Sequence, residues 1–528
     1  MRLTRFLLAV VSLLAMVRAQ AFEAGGVSYA LQSDGTVWVV EHWPAYSGEV
    51  TIPPTVSYNG ANYRVTGIAR RAFAECIDLT AVTLPESLRT IEAEAFLACT
   101  SLAEFKLPNS VTTLGVRALA DCYLLQSLDL GTTITEVPYG LCQNANWLAR
   151  IDIPDQVTTI GSYAFANCKV CQNVVIGDQV VRIDPFAFDN CTQIRQLEIK
   201  NLANWCKVDF ENYRYNPLSY SRQLVVNGVV SKKLVIPEGV GELKPYAFTT
   251  AKIDSVVLPQ SLRKCDMRAF YKSDLKAIDI PDGVTELIGV NGLEVKSLNS
   301  VAIGAGVSQI ANNTFLGYPQ IQQVTLREGI QAIGRNVFSS SGITELVIPN
   351  SVTVLDNCFG NCGKLRKITI GTGLREFRNY VFHNDSLLAE IHIAVSDPNK
   401  IAIVGGGHFS TINTQRGVNK STCVLYVPRG AVERYRSHSF WRQFAHIEED
   451  ESAVLPGDAN GSGMVDIDDV NILINVMLGK PAPSNYDPAG ADTNGDGRID
   501  IDDGPLSKML VADAFACLKD LPGGEGPV

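Results

Sequence analysis

Twice near its C-terminal end the chain sets oxygen-bearing side chains at alternating positions on either side of a glycine. The first run is Asp458-Ala-Asn-Gly-Ser-Gly-Met-Val-Asp-Ile-Asp-Asp469. The second, 34 residues later, is Asp492-Thr-Asn-Gly-Asp-Gly-Arg-Ile-Asp-Ile-Asp-Asp503. Positions 1, 3, 5, 9 and 12 offer the side-chain oxygens of Asp458, Asn460, Ser462, Asp466 and Asp469 in the first run. In the second they offer those of Asp492, Asn494, Asp496, Asp500 and Asp503. Position 7 adds the backbone carbonyls of Met464 and Arg498. Hard oxygens in such a loop suit Ca²⁺, which takes about six to eight of them. Gly463 and Gly497 stand at position 6, where the chain must turn sharply, and Val465 and Ile499 fill the apolar position 8. Two calcium ions are therefore expected on these residues. Ser462 replaces a carboxylate, so the first loop should bind more weakly than the second. Without the ions the clustered carboxylates repel one another and the segment should loosen.

The two loops are of EF-hand type. Their pairing at this spacing, each leading toward one helix, resembles the type I dockerins over about residues 455–515. The resemblance implies a small α-helical domain that docks onto a cohesin-like module. It also places partner choice at loop positions 10 and 11, here Ile467-Asp468 and Ile501-Asp502. Their identity in both copies implies two equivalent binding faces. The halves differ beyond the loops. Val470, Leu473, Met477 and Leu478 form an apolar stripe after the first, whereas Gly504-Pro505 opens the second and Ser507 and Ala512 stand where Leu473 and Leu478 stood.

Little else has the spacing of a chemical site. There is no nucleophile elbow, metalloprotease motif or phosphate loop; Gly405-Gly406-Gly407-His408 is not set between a strand and a helix. Cys168-x-x-Cys171 has the spacing of a redox or zinc half-site, but Cys168 falls in a repeat slot and Cys171 in the slot that Leu79 fills. His383 and His392 read as solvated surface residues. A carboxylate pair for glycoside hydrolysis would leave no mark in sequence. The expectation is a protein that is not an enzyme.

The loops are carried by a long repeat. Its first copy is Val65 to Pro85, V-T-G-I-A-R-R-A-F-A-E-C-I-D-L-T-A-V-T-L-P. Take the aliphatic residue before Ala-Phe as a marker. It recurs at Ile68, Ile91, Leu114, Val137, Ile160 and Ile183, then at Leu243, Cys265, Leu287, Ile310, Ile333, Leu355 and Phe377, in steps of 22 or 23 within each series. A fixed period of this size signals a solenoid. Phe73, Phe96, Phe165, Phe188, Phe248, Phe270, Phe315, Phe338, Phe359 and Phe382 should stack into a continuous interior spine, with Leu119 and Leu141 in that slot in two irregular coils. Leu79-x-x-Val82-x-Leu84 alternates as a half-buried strand does. Prolines such as Pro85, Pro108, Pro154 and Pro349 end such strands. The pattern V-x-x-I-x-x-x-A-F-x-x-C-x-x-L-x-x-V-x-L-P resembles the BspA-like leucine-rich repeats of secreted bacterial surface proteins, over about residues 64–395. That implies a mostly β repeat solenoid with parallel strands on one face and short helical turns.

The remaining segments are assigned around this frame. Residues 1–19, with Arg2 and Arg5 before an apolar run, read as a signal peptide, so the mature chain should be secreted and extracellular, with no membrane span. Residues 20–63 read as an N-terminal β cap, with Trp38 and Trp43 in its core. Residues 64–200 form the first repeat block, 201–233 a hairpin-like insert turning at Asn227-Gly228, and 234–395 the second block. Residues 396–447 form a C-terminal cap, loop-like over 396–421. Residues 448–454 are an acidic linker, 455–515 the double-loop domain and 516–528 a tail. Six of the 13 cysteines, Cys76, Cys99, Cys122, Cys168, Cys191 and Cys362, occupy one buried repeat slot. Leu455 to Val528 hold thirteen acidic and four basic residues, leaving −1 of the chain's −10 for everything before them. Nothing is basic enough for nucleic acid. Two roles follow from the resemblances. One is a secreted or surface adhesion protein, its solenoid on a host or neighbouring-cell protein or glycan and its tail on a cohesin-like module. The other is a non-catalytic subunit of a cellulosome-like polysaccharide-degrading complex, which an array of exposed aromatics on one solenoid face would favour.

Overall fold

The repeat closes into coils because each copy holds two extended stretches joined by tight corners. The structure, a computed structural model, describes residues 21–230, 232–289, 294–409 and 417–450, and beyond these residues 459, 467–477, 480–483, 486 and 491. It divides into two compact units: unit 1, Met1–Ile278 with Leu293–Ser297, and unit 2, Asp279–Gly292 with Leu298–Val528.

In unit 1 the marker residue sits in a two-residue strand, as in Thr90–Ile91, Thr113–Leu114, Thr159–Ile160 and Arg182–Ile183. The alternating segment forms a second, longer strand, as in Arg150–Asp152, Asn173–Ile176 and Gln196–Ile199. Both series are parallel, and their register equals the repeat, with Thr90 opposite Thr113 and Arg150 opposite Asn173. Between the two strands lies a corner with two left-handed residues, the third and seventh after the marker. They are Arg71 and Glu75 in one coil, Glu94 and Ala98 in the next, and Tyr163 and Asn167 further on. The corner is also laddered: Phe73 N–H donates to Ala95 O at 2.8 Å and Glu75 N–H to Leu97 O at 2.7 Å. Every coil thus satisfies its buried backbone through its neighbours, which is why one coil alone cannot be stable.

The interior is apolar, as the period requires. All ten phenylalanines of the slot are buried. The spine is not continuous, however. Phe73 stacks on Phe96 with centroids 4.8 Å apart, and Phe165 on Phe188 at 5.6 Å. Leu119 and Leu141 separate those pairs, since an aliphatic side chain fills the slot without a ring face.

The cap of unit 1 pairs Ala21–Ala24, Val27–Leu31 and Val37–Val39 as an antiparallel sheet. Val37–Val39 then runs parallel to Ala61–Ile68, which pairs with Thr90–Ile91, so the cap merges into the coils. Trp38 lies over Gly67, where a Cβ would come within 2.4 Å of the indole. Trp43 departs from expectation: it is 91% exposed. It falls in the loop before Gly48–Thr51, and Tyr46 fills the core instead, 4.4 Å from the Phe73 ring, with its hydroxyl donating to Val40 O.

The segment that breaks the period holds two helical turns, α1 (Leu202–Trp205) and α2 (Leu218–Ser221), with a 3-10 turn at Tyr213–Tyr215 between them. Trp205 is buried and donates from Nε1 to Ala247 O at 2.8 Å. Asn216, also buried, donates to Tyr246 O and Ala247 O. Leu224–Val226 takes the place of the next long strand, and its hairpin turns at Asn227 (φ 50°) and Gly228 (φ 75°).

Unit 2 repeats the coil. Phe315, Phe338, Phe359 and Phe382 form one uninterrupted stack with steps of 5.7, 6.0 and 5.7 Å. Residues 396–421 are not all loop, since Ala402–Val404 pairs in parallel with Glu376–Arg378. Val424–Val427 and α3 (Val432–Ser437) close the stack, and Tyr435 donates from its hydroxyl to Val395 O at 2.6 Å. Residues 448–450, read above as the start of a linker, belong to the fold: His446–Glu449 is a strand parallel to Val424–Val427. His383 and His392 are buried, contrary to their reading as solvated. His383 lies over Gly360, with Nδ1 bonded to Tyr380 O at 2.9 Å. His392 stacks on Tyr426 at 4.5 Å and bonds Asp450 through Nδ1. Each occupies a turn or strand position that faces inward, which an isolated histidine does not reveal.

Candidate calcium site and binding surface

Of the twelve loop residues assigned to calcium, Asp469 lies among the described residues. It is fully buried, in helix α4 (Ile467–Met477). Ile467 and Asp468 form the first residues of that helix. Ala459, second in the first loop, and Ala491, just before the second loop, are both buried against Leu473 of α4, with Ile472 and Tyr486 packed beside them. Leu473 belongs to the apolar stripe, so the stripe draws the entrances of the two loops together. Asp458, Asn460, Ser462, Met464, Asp466, Asp492, Asn494, Asp496, Arg498, Asp500 and Asp503 lie outside the described residues, as do Ile501, Asp502 and the signal segment. The donor set fits calcium chemically: all oxygen, mostly carboxylate, with one member already held by a helix.

The described cysteines sit as buried thiols inside the coils. Twelve are described, and all are free and buried. In the repeat slot the thiol donates to the carbonyl of the phenylalanine one coil back, as Cys122 does to Phe96 O at 3.2 Å and Cys191 to Phe165 O at 3.1 Å. Burial pushes the Cys171 thiol up to about 12, and Cys168 is raised well above the ordinary range, first by its bond to Cys191 and then by burial. A thiol so disfavoured as thiolate is neither nucleophile nor ligand.

Two surface features escaped the sequence reading. One is an asparagine ladder on the seventh residue after the marker: Asn190 Nδ2 donates to Asn167 Oδ1, Asn167 to Asn144 and Asn144 to Asp121, at 2.6–2.8 Å. Asn144, Asn167 and Asn190 are 23 apart, and that spacing was the available signal. The other is a ridge of rings on the outer corner of unit 1. Tyr139 meets Tyr163 at 5.8 Å, Tyr163 stacks on Phe186 at 5.1 Å, and Phe186 meets Tyr215 at 4.6 Å. Two residues from Tyr215, Tyr213 contacts Tyr246 at 6.4 Å and Tyr271 at 4.9 Å. Lys272 Nζ lies 5.1 Å from the Tyr213 ring centre. Tyr163, Phe186 and Tyr246 share the slot three residues past the marker, but Tyr139, Tyr213, Tyr215 and Tyr271 do not, so no single period marks the whole ridge.

The family model described as BspA type Leucine rich repeat region matches residues 66–195, 135–215, 227–289 and 286–414, in six copies, which together span more than half of the chain. The chain belongs to the BspA-type leucine-rich repeat family. In this BspA-type protein residues 456–504 match the Dockerin type I domain. Solved structures similar to the chain include a leucine-rich repeat protein from Bacteroides ovatus, 24% identical, covering 70% of this chain and 94% of its own, with a TM-score of 0.44. A leucine rich cell surface protein from Faecalibacterium prausnitzii is 18% identical, covering 72% and 96%, with a TM-score of 0.31. The pneumococcal vaccine antigen PcpA is 14% identical, covering 82% and 98%, with a TM-score of 0.25. No curated protein matches the chain. Among the described residues no helix is long and apolar enough to cross a membrane.

Proposed function

We propose that this is a secreted, non-catalytic binding protein that is anchored through its tail. The solenoid recognises a macromolecule on a host or neighbouring cell, and the C-terminal domain docks onto a cohesin-like module when two calcium ions fill its loops. One observation carries this: a repeat solenoid and a dockerin type I domain share one chain. Asp458, Asn460, Ser462, Asp466 and Asp469, with the Met464 carbonyl, would hold one ion. Asp492, Asn494, Asp496, Asp500 and Asp503, with the Arg498 carbonyl, would hold the other. The bound ions supply charge neutralisation, so that the paired carboxylates no longer repel. Leu473 then holds the loops together, and Ile467-Asp468 and Ile501-Asp502 present the docking faces.

The test is capture of the full chain on immobilised cohesin modules. Retention with calcium, lost in chelator and lost in Asp458→Ala/Asp492→Ala, is the expected outcome. Retention indifferent to calcium would sink the docking half of the proposal. The alternative role, as a subunit of a polysaccharide-degrading complex, is favoured by the aromatic ridge, a surface feature that suits sugar.

A further inference from the structure

We propose that the aromatic ridge of unit 1 is a docking track for a neutral polysaccharide. This rests on the reading of the solenoid as the binding module, and adds the ligand class and the residues that meet it.

Continuity is the first observation. The repeat is broken between the two blocks, and one turn there meets rings on both sides of the break. The single 3-10 turn Tyr213–Tyr215 sets Tyr215 against Phe186 and Tyr213 against Tyr246 and Tyr271. The segment that seals the gap in the core also carries the rings across it.

The second is conformational. Tyr163, Phe186 and Tyr246 are left-handed, with φ of 57°, 64° and 62°. A bulky residue holds that conformation at a cost that Asn or Gly largely avoids. Gly140, Asn313 and Asn336 fill the equivalent corner in other coils. The rings of Tyr163, Phe186 and Tyr246 are only half-buried, so core packing does not explain their choice.

The third is charge. The cations along the ridge are neutralised: Lys272 lies 3.3 Å from Glu294, and Arg222 lies 2.9 Å from Asp274. A polyanion needs an excess of positive charge; Arg214, over the Tyr213 ring at 5.7 Å, stands next to a cleft whose acids Asp184, Asp209 and Glu211 outnumber its cations Arg182 and Lys207. A neutral sugar chain needs flat apolar surface for its ring faces, with donors and acceptors nearby for its hydroxyls. Beside Tyr215 a cleft of ≈ 380 Å³ provides both kinds, with Arg182 and Lys207 as donors and Asp184, Asp209 and Glu211 as acceptors. A peptide with an apolar face would want a mainly apolar groove, and here five charged residues share the lining with Val181, Ile183, Pro185 and Phe210.

The test is native electrophoresis of the full chain, with calcium, through gels containing a mixed-linkage β-glucan, a xylan, a mannan or polygalacturonate. Retardation by at least one neutral polysaccharide, and less by polygalacturonate, is expected. Tyr163→Asn/Phe186→Asn/Tyr246→Asn should weaken it by about tenfold or more. Asn already serves this corner elsewhere in the chain, so the variant keeps its fold, which a melting curve checks. Tyr123→Ala/Trp147→Ala, on exposed rings outside the ridge, should change nothing. No retardation in any gel, stronger retardation by polygalacturonate, or retardation unchanged in the triple variant overturns the proposal. Attachment to partner-cell surfaces separates it from the broader reading. If the triple variant still attaches and a chain truncated after residue 450 does too, the solenoid binds something else and only the ridge assignment fails. If attachment needs the tail alone, the binding role of the solenoid fails with it.

Discussion

At the corner three residues past the marker, unit 2 carries Asn313 and Asn336, and unit 1 carries Tyr163, Phe186 and Tyr246, all with positive φ. The backbone demand is identical. In unit 2 Asn313 and Asn336 meet it with the residue type that tolerates it best, although the last coil holds Tyr380 there at φ 50°, and the amides also link coils: Asn357 Nδ2 donates to Asn336 Oδ1 and Asn336 Nδ2 to Asn313 Oδ1, each at 3.1 Å. Unit 1 keeps its asparagine ladder at the other left-handed position, at Asn144, Asn167 and Asn190, where unit 2 has one as well, Asn384 Nδ2 donating to Asn361 Oδ1 at 2.8 Å. The first coils of unit 1 use the corner three past the marker for ion pairs such as Arg71 with Glu94, and its later coils use it for rings. One corner is therefore spent on holding coils together, and the other is available for display.

The interior tests this division most strongly, because both units depend on it equally. Phe338 is buried between Phe315 and Phe359. Phe338→Ala should cost about 3–5 kcal/mol in denaturant unfolding, whereas removing a display ring should cost far less. If Phe338→Ala and Tyr163→Ala destabilise alike, the distinction between core and display is wrong. Next in size is Asn336→Ala. It removes the middle of the amide ladder and leaves alanine at φ 55°, for about 2 kcal/mol. Asn336→Gly relieves the backbone and keeps only the ladder loss, so the glycine variant should recover part of the stability in the same measurement.

The slot after the ladder sharpens the comparison through pH. Most coils of unit 1 place a thiol there, but the last coil of unit 2 places Asp385, fully buried, accepting from Cys362 N–H at 2.6 Å. Burial pushes its carboxyl well above the usual carboxylate range. The folded chain thus keeps a proton that the unfolded chain releases above about pH 4. Stability from this group is full below that pH and falls as pH rises toward the folded value. Asp385→Asn keeps an acceptor for Cys362 without the titration. It should raise stability at pH 7 by about 1 kcal/mol, with the advantage gone near pH 4. An advantage independent of pH would mean that the carboxyl is not what limits the native chain.

Much of this was legible because the period exposes it. A residue repeated every 22 or 23 positions has to occupy one place in the coil, so Ile68, Phe73, Cys76 and Leu79 announced core, spine and slot together. The dockerin-type segment was legible for a different reason: its motif is local, a twelve-residue run that needs no tertiary partner to be recognised. Features that depend on what sits across a coil were hidden. Nothing about Tyr139 or Tyr271 says that each will meet a ring from another slot, and nothing about His392 points to Asp450, 58 residues away. Trp43 misled because a large apolar side chain in a cap is ordinarily core, and Tyr46 had already taken that place.

The smallest expected effect decides what the ridge is for. Tyr163→Asn replaces a ring at φ 57° with the residue that unit 2 uses at the same corner. If the ring is held there for display, relief of backbone strain should match or exceed the lost stacking on Phe186, and thermal unfolding should show no loss and up to about 0.5 kcal/mol gained. If the ring is held there for packing, the variant should instead lose about 1 kcal/mol, in line with an aromatic pair. The paired variant Phe186→Asn separates the terms: with display rings the two changes add, because each relieves its own backbone, while with packing rings the second costs only its contact with Tyr215 once the first has broken the stack. Additive gains would leave ligand contact as the reason these coils carry tyrosine and phenylalanine at a corner where asparagine folds better.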